Sequence, residues 1–343
     1  MSGNAFVTGG TGLLGTNLVR ELVGRGWKVK VLARSREKAD RVLEGVTVEV
    51  VNGDMTDVAG FARSLENSDA LFHCAAYFRE YYSAGEHRQK LEKINVEGTL
   101  KLLDAALTAG VHKVVYVSSS GVLGEPQGAG PIDETAPYAR ATDNLYFQSK
   151  IRAEERVLEW LTSHRLPVVL ILPGWMFGPF DDAPTASGRL VCDYLAGKLP
   201  GVIPGGASAV DARDVADAMI KAVENGRPGE RYVVGGSLAS LAEIVRNLET
   251  VSGQPAPRLK IPYPVALAMA WLSQTATALF GGDTLLTVSG VRTMREAMKH
   301  TVSSAKAERE LGISFRPLIE TLRDEVAWYR ERDKRTQAAE RKP

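Results

Sequence analysis

The sequence predicts an α/β protein: a doubly wound parallel sheet followed by a smaller, mostly helical C-terminal domain. Three observations carry this. Strand-length apolar runs alternate with longer helical patterns through the first half of the chain. A glycine-rich turn separates the first run from the first helical pattern. After Pro173 the rhythm breaks into Pro and Gly clusters at Pro179, Pro184, Pro200, Pro204 and Gly205-Gly206.

Strands are expected at 5–7, 28–33, 47–51, 70–74, 113–117 and 168–172, with helices at 13–25, 37–43, 60–65, 87–109 and 143–164 between them. Parallel neighbours need a crossover of a dozen or more residues, and these helices supply most of them. Beyond residue 173, helices are expected at 210–225, 238–252, 264–280, 305–311 and 318–332, with a short strand at 231–234. At 343 residues the chain suggests about two domains. We place the first at 1–177, with 209–236 as a segment able to return to it, and the second at 178–332. The charged stretch 333–343 lacks periodicity and is expected as a frayed, disordered tail.

With 44% hydrophobic and 24% charged residues, the composition excludes disordered and fibrous classes. A net charge of +1 gives no global attraction to nucleic acid or an acidic membrane, so a charged ligand must be held locally. Cys74 and Cys192 are too few for a disulfide framework or a zinc site and suit a reducing compartment. The chain runs directly into its first strand without a signal-like segment, so a cytoplasmic location is expected. The most apolar window, 265–280, is interrupted by Gln274 and several threonines and is shorter than a spanning helix needs. It is expected as a helix buried in the protein, the alternative being an interfacial helix with an exposed face.

Thr8-Gly9-Gly10-Thr11-Gly12-Leu13-Leu14-Gly15 closes the first strand and opens the first helix. Glycines at 9, 12 and 15 allow a tight turn, close approach of a pyrophosphate, and helix–strand packing, while the helix N-terminus favours the anion. Gly9, Thr11, Gly12, Leu13, Leu14 and Gly15 therefore form a candidate dinucleotide cradle of the Rossmann kind. No carboxylate stands where the second strand ends, to accept a ribose 2′-hydroxyl; Arg34 and Ser35 suit a 2′-phosphate instead. NADP(H) is the preferred cofactor and NAD(H) the alternative. Asp54, followed by Met55, is placed to accept from the adenine amine, and the small Ala75 and Ala76 let the backbone lie against the cofactor. His73 is expected as a packed histidine.

Tyr146 and Lys150 stand four apart on a helical pattern and so share one face. A phenol beside an ammonium is a proton donor of lowered pKa, suited to carbonyl chemistry. Ser118, Ser119 and Ser120 end the fifth strand, where the carboxyl ends of an open α/β sheet face the ligand crevice; one of these hydroxyls can support charge on a carbonyl oxygen.

Together, Thr8-Gly9-x-x-Gly12-x-x-Gly15, the serine-rich strand end and Tyr146-x-x-x-Lys150 resemble the extended short-chain dehydrogenase/reductase family, in its dihydroflavonol 4-reductase-like and nucleotide-sugar epimerase/dehydratase branches. The segments Asn95-Val96-Glu97-Gly98-Thr99, Val210-Asp211-Ala212-Arg213-Asp214 and Ala305-Lys306-Ala307-Glu308 agree. The resemblance implies Ser119 as the catalytic hydroxyl, with Ser118 as runner-up, and Tyr146 as proton donor or acceptor. It implies that Lys150 holds the nicotinamide ribose and that Pro173, Gly174 and Met176 lie beside the nicotinamide. Many relatives carry Arg where this chain has Leu172. It also suggests a homodimer through the helices 87–109 and 143–164.

The expected activity is NADP(H)-dependent reduction of a small or aromatic ketone or aldehyde. Aromatics within 78–82, with Trp175, Phe177 and Phe180, suit such a substrate. The alternative is a nucleotide-sugar epimerase or dehydratase with retained NAD, with Arg189, Lys198 and Arg213 as candidate diphosphate partners. A catalytically quiet dinucleotide-binding sensor is the third reading. The Pro/Gly-rich stretch 125–141 is a candidate cover for the site.

Overall fold

The computed structural model describes residues 2–78, 87–126, 128, 130–280 and 286–340, with side chains given outside 278–280 and 336–340. The chain begins β1 (Asn4–Thr8), α1 (Leu13–Gly24), β2 (Lys28–Ala33), α2 (Arg36–Val42), β3 (Glu49–Asn52) and β4 (Ala70–His73). A long helix follows, made of α3 (His87–Leu91), a π-helical segment Glu92–Glu97 and α4 (Gly98–Thr108). Then come β5 (Lys113–Val117), α5 (Leu145–Leu161), β6 (Val168–Pro173) and β7 (Trp175–Phe177). The remainder holds α6 (Ala186–Leu195), β8 (Gly206–Asp211), α7 (Ala212–Asn225), β9 (Arg231–Val234), β10 (Ser237–Ser240) and α8 (Leu241–Ser252). It closes with α9 (Tyr263–Phe280), α10 (Val288–Glu296), α11 (Ala305–Leu311) and α12 (Leu318–Glu340).

Seven strands form one sheet in the order β3-β2-β1-β4-β5-β6-β9, every neighbouring pair parallel. The order reverses between β1 and β4, which opens a crevice at their carboxyl ends. A smaller sheet, β10-β8-β7, pairs β7 parallel and β10 antiparallel to β8. The doubly wound fold class is therefore the one the sequence predicts.

Side chains of a strand alternate between faces, and β1 shows the result. Ala5 and Val7 join a core with Leu14, Leu18 and Leu22 of α1, Val215 and Met219 of α7, and Leu311 of α11. Phe6 points the other way, into a core with Leu102 and Leu103 of α4 and Val157 and Trp160 of α5. Each large apolar side chain buried this way stabilises by about 1.5–3 kcal/mol. A third core unites Val191 of α6, Ile244 and Leu248 of α8, and Leu322 and Val326 of α12 beneath the small sheet.

Four expectations change. The stretch 60–65 is two 3₁₀ turns, Val58–Gly60 and Ala62–Leu65, started by the Asp57 side chain accepting from Gly60 N. The expected helices at 210–225 and 238–252 begin as the strands β8 and β10, because Asp211 and Ser240 cap helices that start only after them. α12 continues through residues 333–340, part of the expected tail. The helix expected to be buried at 265–280 forms as α9, yet among its described side chains only Ala266 and Ala270 are buried. Ala266 and Ala270, one turn apart, pack on Ile261 and Val291, while Val265, Met269, Trp271 and Leu272 face outward. An apolar composition alone does not say which side of a helix finds a partner.

Candidate active site

The glycine-rich turn is built for close approach. Gly9 has φ +71°, a left-handed conformation that favours glycine. A Cβ on Gly15 would lie 2.1 Å from the Gly9 carbonyl oxygen, so the helix and turn pack backbone to backbone. A Cβ on Gly12 meets only that same oxygen, at 3.6 Å, and otherwise projects into open space. No side chain caps the start of α1. The first turn of the helix thus offers its N–H groups to an anion, and the open position at Gly12 leaves room for a pyrophosphate. Thr11 is half-buried in this turn, while Leu13 and Leu14 are buried, Leu14 in the core beneath it.

At the carboxyl ends of β2 and β3 an open cleft is lined by Arg34, Asn52, Gly53, Asp54, Asp57 and Gly60. Arg34 is largely exposed and stands 3.8 Å from Asp54. Ser35 caps α2 by accepting from Lys38 N at 3.1 Å. Met55, expected beside the cofactor, is instead buried in the core with Val58 and Phe61 and is not among the residues that line this cleft. Ala75 and Ala76 are half-buried just after β4, and Ala75 N donates to Thr8 Oγ1 at 3.3 Å.

His73 is packed, as expected. Its ring nitrogens lie 2.7 Å from Thr8 Oγ1 and 3.0 Å from Thr99 Oγ1, linking β1, β4 and α4. Burial, helped by the nearby Lys150 charge, lowers its pKa to about 3 and keeps the ring neutral.

α5 begins at Asn144, whose side chain accepts from Tyr146 N and Phe147 N. This cap sets the first turn, and Tyr146, Lys150 and Glu154 then recur at intervals of four along one face. The Tyr146 ring meets Phe78 edge-on, with centroids 4.9 Å apart. Lys150 is buried; its Nζ lies 5.9 Å from the Tyr146 ring centre, donates to Val117 O at 2.7 Å and reaches Tyr116 Oη at 3.4 Å. Desolvation lowers its pKa to about 8, with the Glu154 charge opposing the fall. Glu154 is itself fully buried 3.8 Å from Arg231, and burial raises its carboxyl pKa.

The serines separate by environment. Ser118 is buried, and its Oγ has no hydrogen-bond partner among the described residues. Ser119 is half-buried at the strand exit and its Oγ accepts from Gly121 N at 3.2 Å. A Cβ on Gly121 would strike the Phe147 ring, so the serine turn sits directly against the first turn of α5. Pro173 ends β6, Gly174 follows it and Met176 lies in β7; a Cβ on Gly174 would meet the carbonyls of Ser208 and Gly235 at 2.5 and 2.6 Å.

The residues assigned from sequence therefore fall along the carboxyl edge of the large sheet, from the β2–β3 cleft past the β1 turn to the β5 exit and α5. Arg213 is not at hand for a diphosphate: its guanidinium is engaged by Asp211 at 2.6 Å and Asp324 at 2.7 Å. Phe78 lies beside Tyr146, whereas 79–82 fall outside the described residues. One buried polar position beside the site carries no role in the sequence reading. Asn95, buried in the π-helical segment, accepts from Tyr77 N at 2.6 Å and donates to Tyr77 O and to Ser149 Oγ. It thereby ties the β4 exit to the residue preceding Lys150. Its segment was singled out, and a polar residue inside an apolar helical pattern was the available signal.

Residues 5–235 match the model of the NAD dependent epimerase/dehydratase family. The chain belongs to that family. This bears out the resemblance to extended short-chain dehydrogenase/reductases, and the chain is an NAD(P)-dependent oxidoreductase of that type. The family member is 35% identical over 332 residues to the sterol demethylase protein B of Methylococcus capsulatus, covering 95% of this chain and 98% of that one. It is 30% identical over 335 residues to a 3 beta-hydroxysteroid dehydrogenase/Delta 5-->4-isomerase of Mycobacterium tuberculosis, covering 93% and 87%. Among solved structures it resembles a nucleoside-diphosphate-sugar epimerase from Pseudomonas aeruginosa, with a TM-score of 0.77 and 26% identity over 96% of this chain and 98% of that one.

Proposed function

We propose that the chain is an NADP(H)-dependent reductase of an apolar or aromatic ketone or aldehyde. The observation that carries this reading is the buried Lys150 ammonium, held by Val117 O one helical turn below Tyr146 and at the strand exit bearing Ser119. Held along the Gly9–Gly15 turn, a reduced nicotinamide cofactor would supply the hydride for the carbonyl carbon. Ser119 orients the carbonyl oxygen, and Tyr146 transfers its phenolic proton to that oxygen. The phenolate left on Tyr146 is stabilised by the Lys150 charge in a site of low dielectric. Oxidation of an alcohol runs the same proton path backwards.

The preference for NADP(H) rests on the exposed Arg34 guanidinium and on the absence of a carboxylate at the end of β2. The apolar substrate rests on Phe78 against Tyr146 and on Trp175 against Phe177, whose centroids are 4.8 Å apart. Relatives named for sterol and steroid chemistry support it. We assign the substrate side to the region 178–332 and a homodimer to the helices 87–109 and 143–164; light scattering giving the mass of one chain would remove the dimer. The likeness to a nucleotide-sugar epimerase at 26% identity favours a second reading, epimerisation with retained NAD. Identifying the co-purified cofactor separates the two. Exchangeable NADP with turnover of aromatic carbonyls supports the reductase, and tightly held NAD with turnover of a nucleotide sugar supports the epimerase. Tight binding with no turnover of either class would leave a dinucleotide sensor.

A further inference from the structure

Helix α9 has no charged side chain along its 18 residues. A helix on a protein surface ordinarily turns charged and polar groups to water. α9 instead turns Val265, Met269 and Leu272 outward, with Trp271 beside them; Trp271 is 61% and Leu272 58% exposed. At about 100° per residue these positions share one side of the helix, opposite the buried Ala266 and Ala270.

The flanks of this ridge are basic. Arg258 and Lys260 precede it, and Arg292, Arg295 and Lys299 follow it, all exposed, against Asp283 and Glu296 in the sequence 254–300. Lys299 pairs with Glu296 at 2.5 Å and Arg292 stands 4.0 Å from Asp143, so Arg258, Lys260 and Arg295 carry the excess. The chain as a whole carries only +1, so the excess is local. Arg295 lies over the Tyr263 ring at 4.0 Å, which sets the basic collar against the first turn of α9.

We propose that this face docks on an anionic lipid surface. An apolar ridge with an exposed indole, collared by Lys and Arg, matches the acyl boundary and the anionic headgroups together. A second copy of the chain fits the same face poorly, since its basic collar would meet its own like charges. No helix among the described residues is long and apolar enough to cross a membrane, so α9 lies on the surface rather than spanning it. The location also bears on the site. Ser289 Oγ donates to Asp143 Oδ1 at 3.0 Å and Arg292 stands 4.0 Å from Asp143, three residues before Tyr146. Docking would place the crevice beside the lipid that holds an apolar substrate; that consequence rests on the proposed reduction, whereas the docking does not.

Vesicle flotation of the full chain tests the proposal. Vesicles of phosphatidylglycerol with phosphatidylcholine should carry the protein, and pure phosphatidylcholine should bind about tenfold less. Trp271→Ser with Leu272→Ser should lower partitioning about tenfold or more while the melting temperature and cofactor affinity hold. Arg258→Glu with Lys260→Glu, confined to exposed side chains, should weaken binding to anionic vesicles alone. Absence of vesicle binding, or equal binding by parent and variants, overturns the proposal. So does self-association, measured by light scattering, that the Ser variant abolishes without any lipid effect. Loss of carbonyl reduction leaves the flotation result untouched, so the two readings fail separately.

Discussion

Lys150 donates a 2.7 Å hydrogen bond to the carbonyl oxygen of Val117, so the ammonium is fixed to the last residue of β5 rather than to a carboxylate. Burial lowers its pKa from 10.5 to about 8. Between those values the unfolded chain binds more protons than the folded one, so stability rises with pH through that window; below it the full cost of burying the charge is present. Lys150→Met has no such titration. The parent should gain about 3 kcal/mol on the variant between pH 7 and pH 10.5, read by urea unfolding. A constant difference between them would contradict the burial argument.

Tyr146→Phe keeps the ring that meets Phe78 edge-on and removes only the hydroxyl. Turnover should fall by about 10²–10⁴ while cofactor affinity stays within about twofold. An undiminished rate removes Tyr146 from the chemistry.

Gly12→Ala separates cofactor binding from folding. The added methyl meets no protein atom closer than 3.6 Å, and Gly12 has φ −97°, which alanine adopts without strain. The variant should melt like the parent and lose dinucleotide affinity by about tenfold or more, because the methyl occupies the space left for the pyrophosphate. Retained affinity in calorimetry would place the cofactor elsewhere.

Arg34→Ala removes a charge from the rim of the β2–β3 cleft. A charge-assisted bond to a 2′-phosphate contributes about 1.5–3 kcal/mol, so NADPH affinity should drop about tenfold or more with NADH affinity unchanged. Equal affinity of the parent for the two cofactors would refute the preference.

Asn95→Ala removes the hydrogen bonds that the half-buried Tyr77 backbone and the buried Ser149 hydroxyl make with its amide. The expected loss is about 1–3 kcal/mol in chemical denaturation. Because Asn95 reaches both Tyr77 and Ser149, turnover should fall more than cofactor affinity. A variant as stable and active as the parent would show that the clamp is dispensable.

The large sheet was legible because its central strands are buried on both faces and read as continuous apolar runs; Ala5 through Val7 in β1 and Val168 through Leu172 in β6 show why. The cradle and the Tyr146–Lys150 pair were legible because backbone approach demands glycine and helical spacing fixes a face. Short strands were not. Trp175–Phe177 has three residues, too few to show alternation, and β8 runs straight into α7 with Asp211 serving both as its last residue and as the helix cap. The separation of Ser118 from Ser119 arises just beyond β5, where Ser118 stays buried and Ser119 caps the 3₁₀ turn Ser120–Val122, and three identical residues in a row conceal that. Likewise the exposed ridge of α9 follows from what packs on it, a tertiary fact absent from its composition.

β9 is drawn from residues 231–234, yet it closes the outer edge of the large sheet beside β6, where Leu170, Ile171 and Leu172 are fully buried. A polypeptide ending at residue 177 would have every strand from β1 to β6 and still be incomplete, with the apolar β6 left as a bare edge open to pairing with other chains. On the ribosome the same gap persists until some sixty further residues have emerged, so the nascent sheet must be shielded from its neighbours over that interval. Aggregation, rather than release of a folded half, is the expected fate of such a fragment.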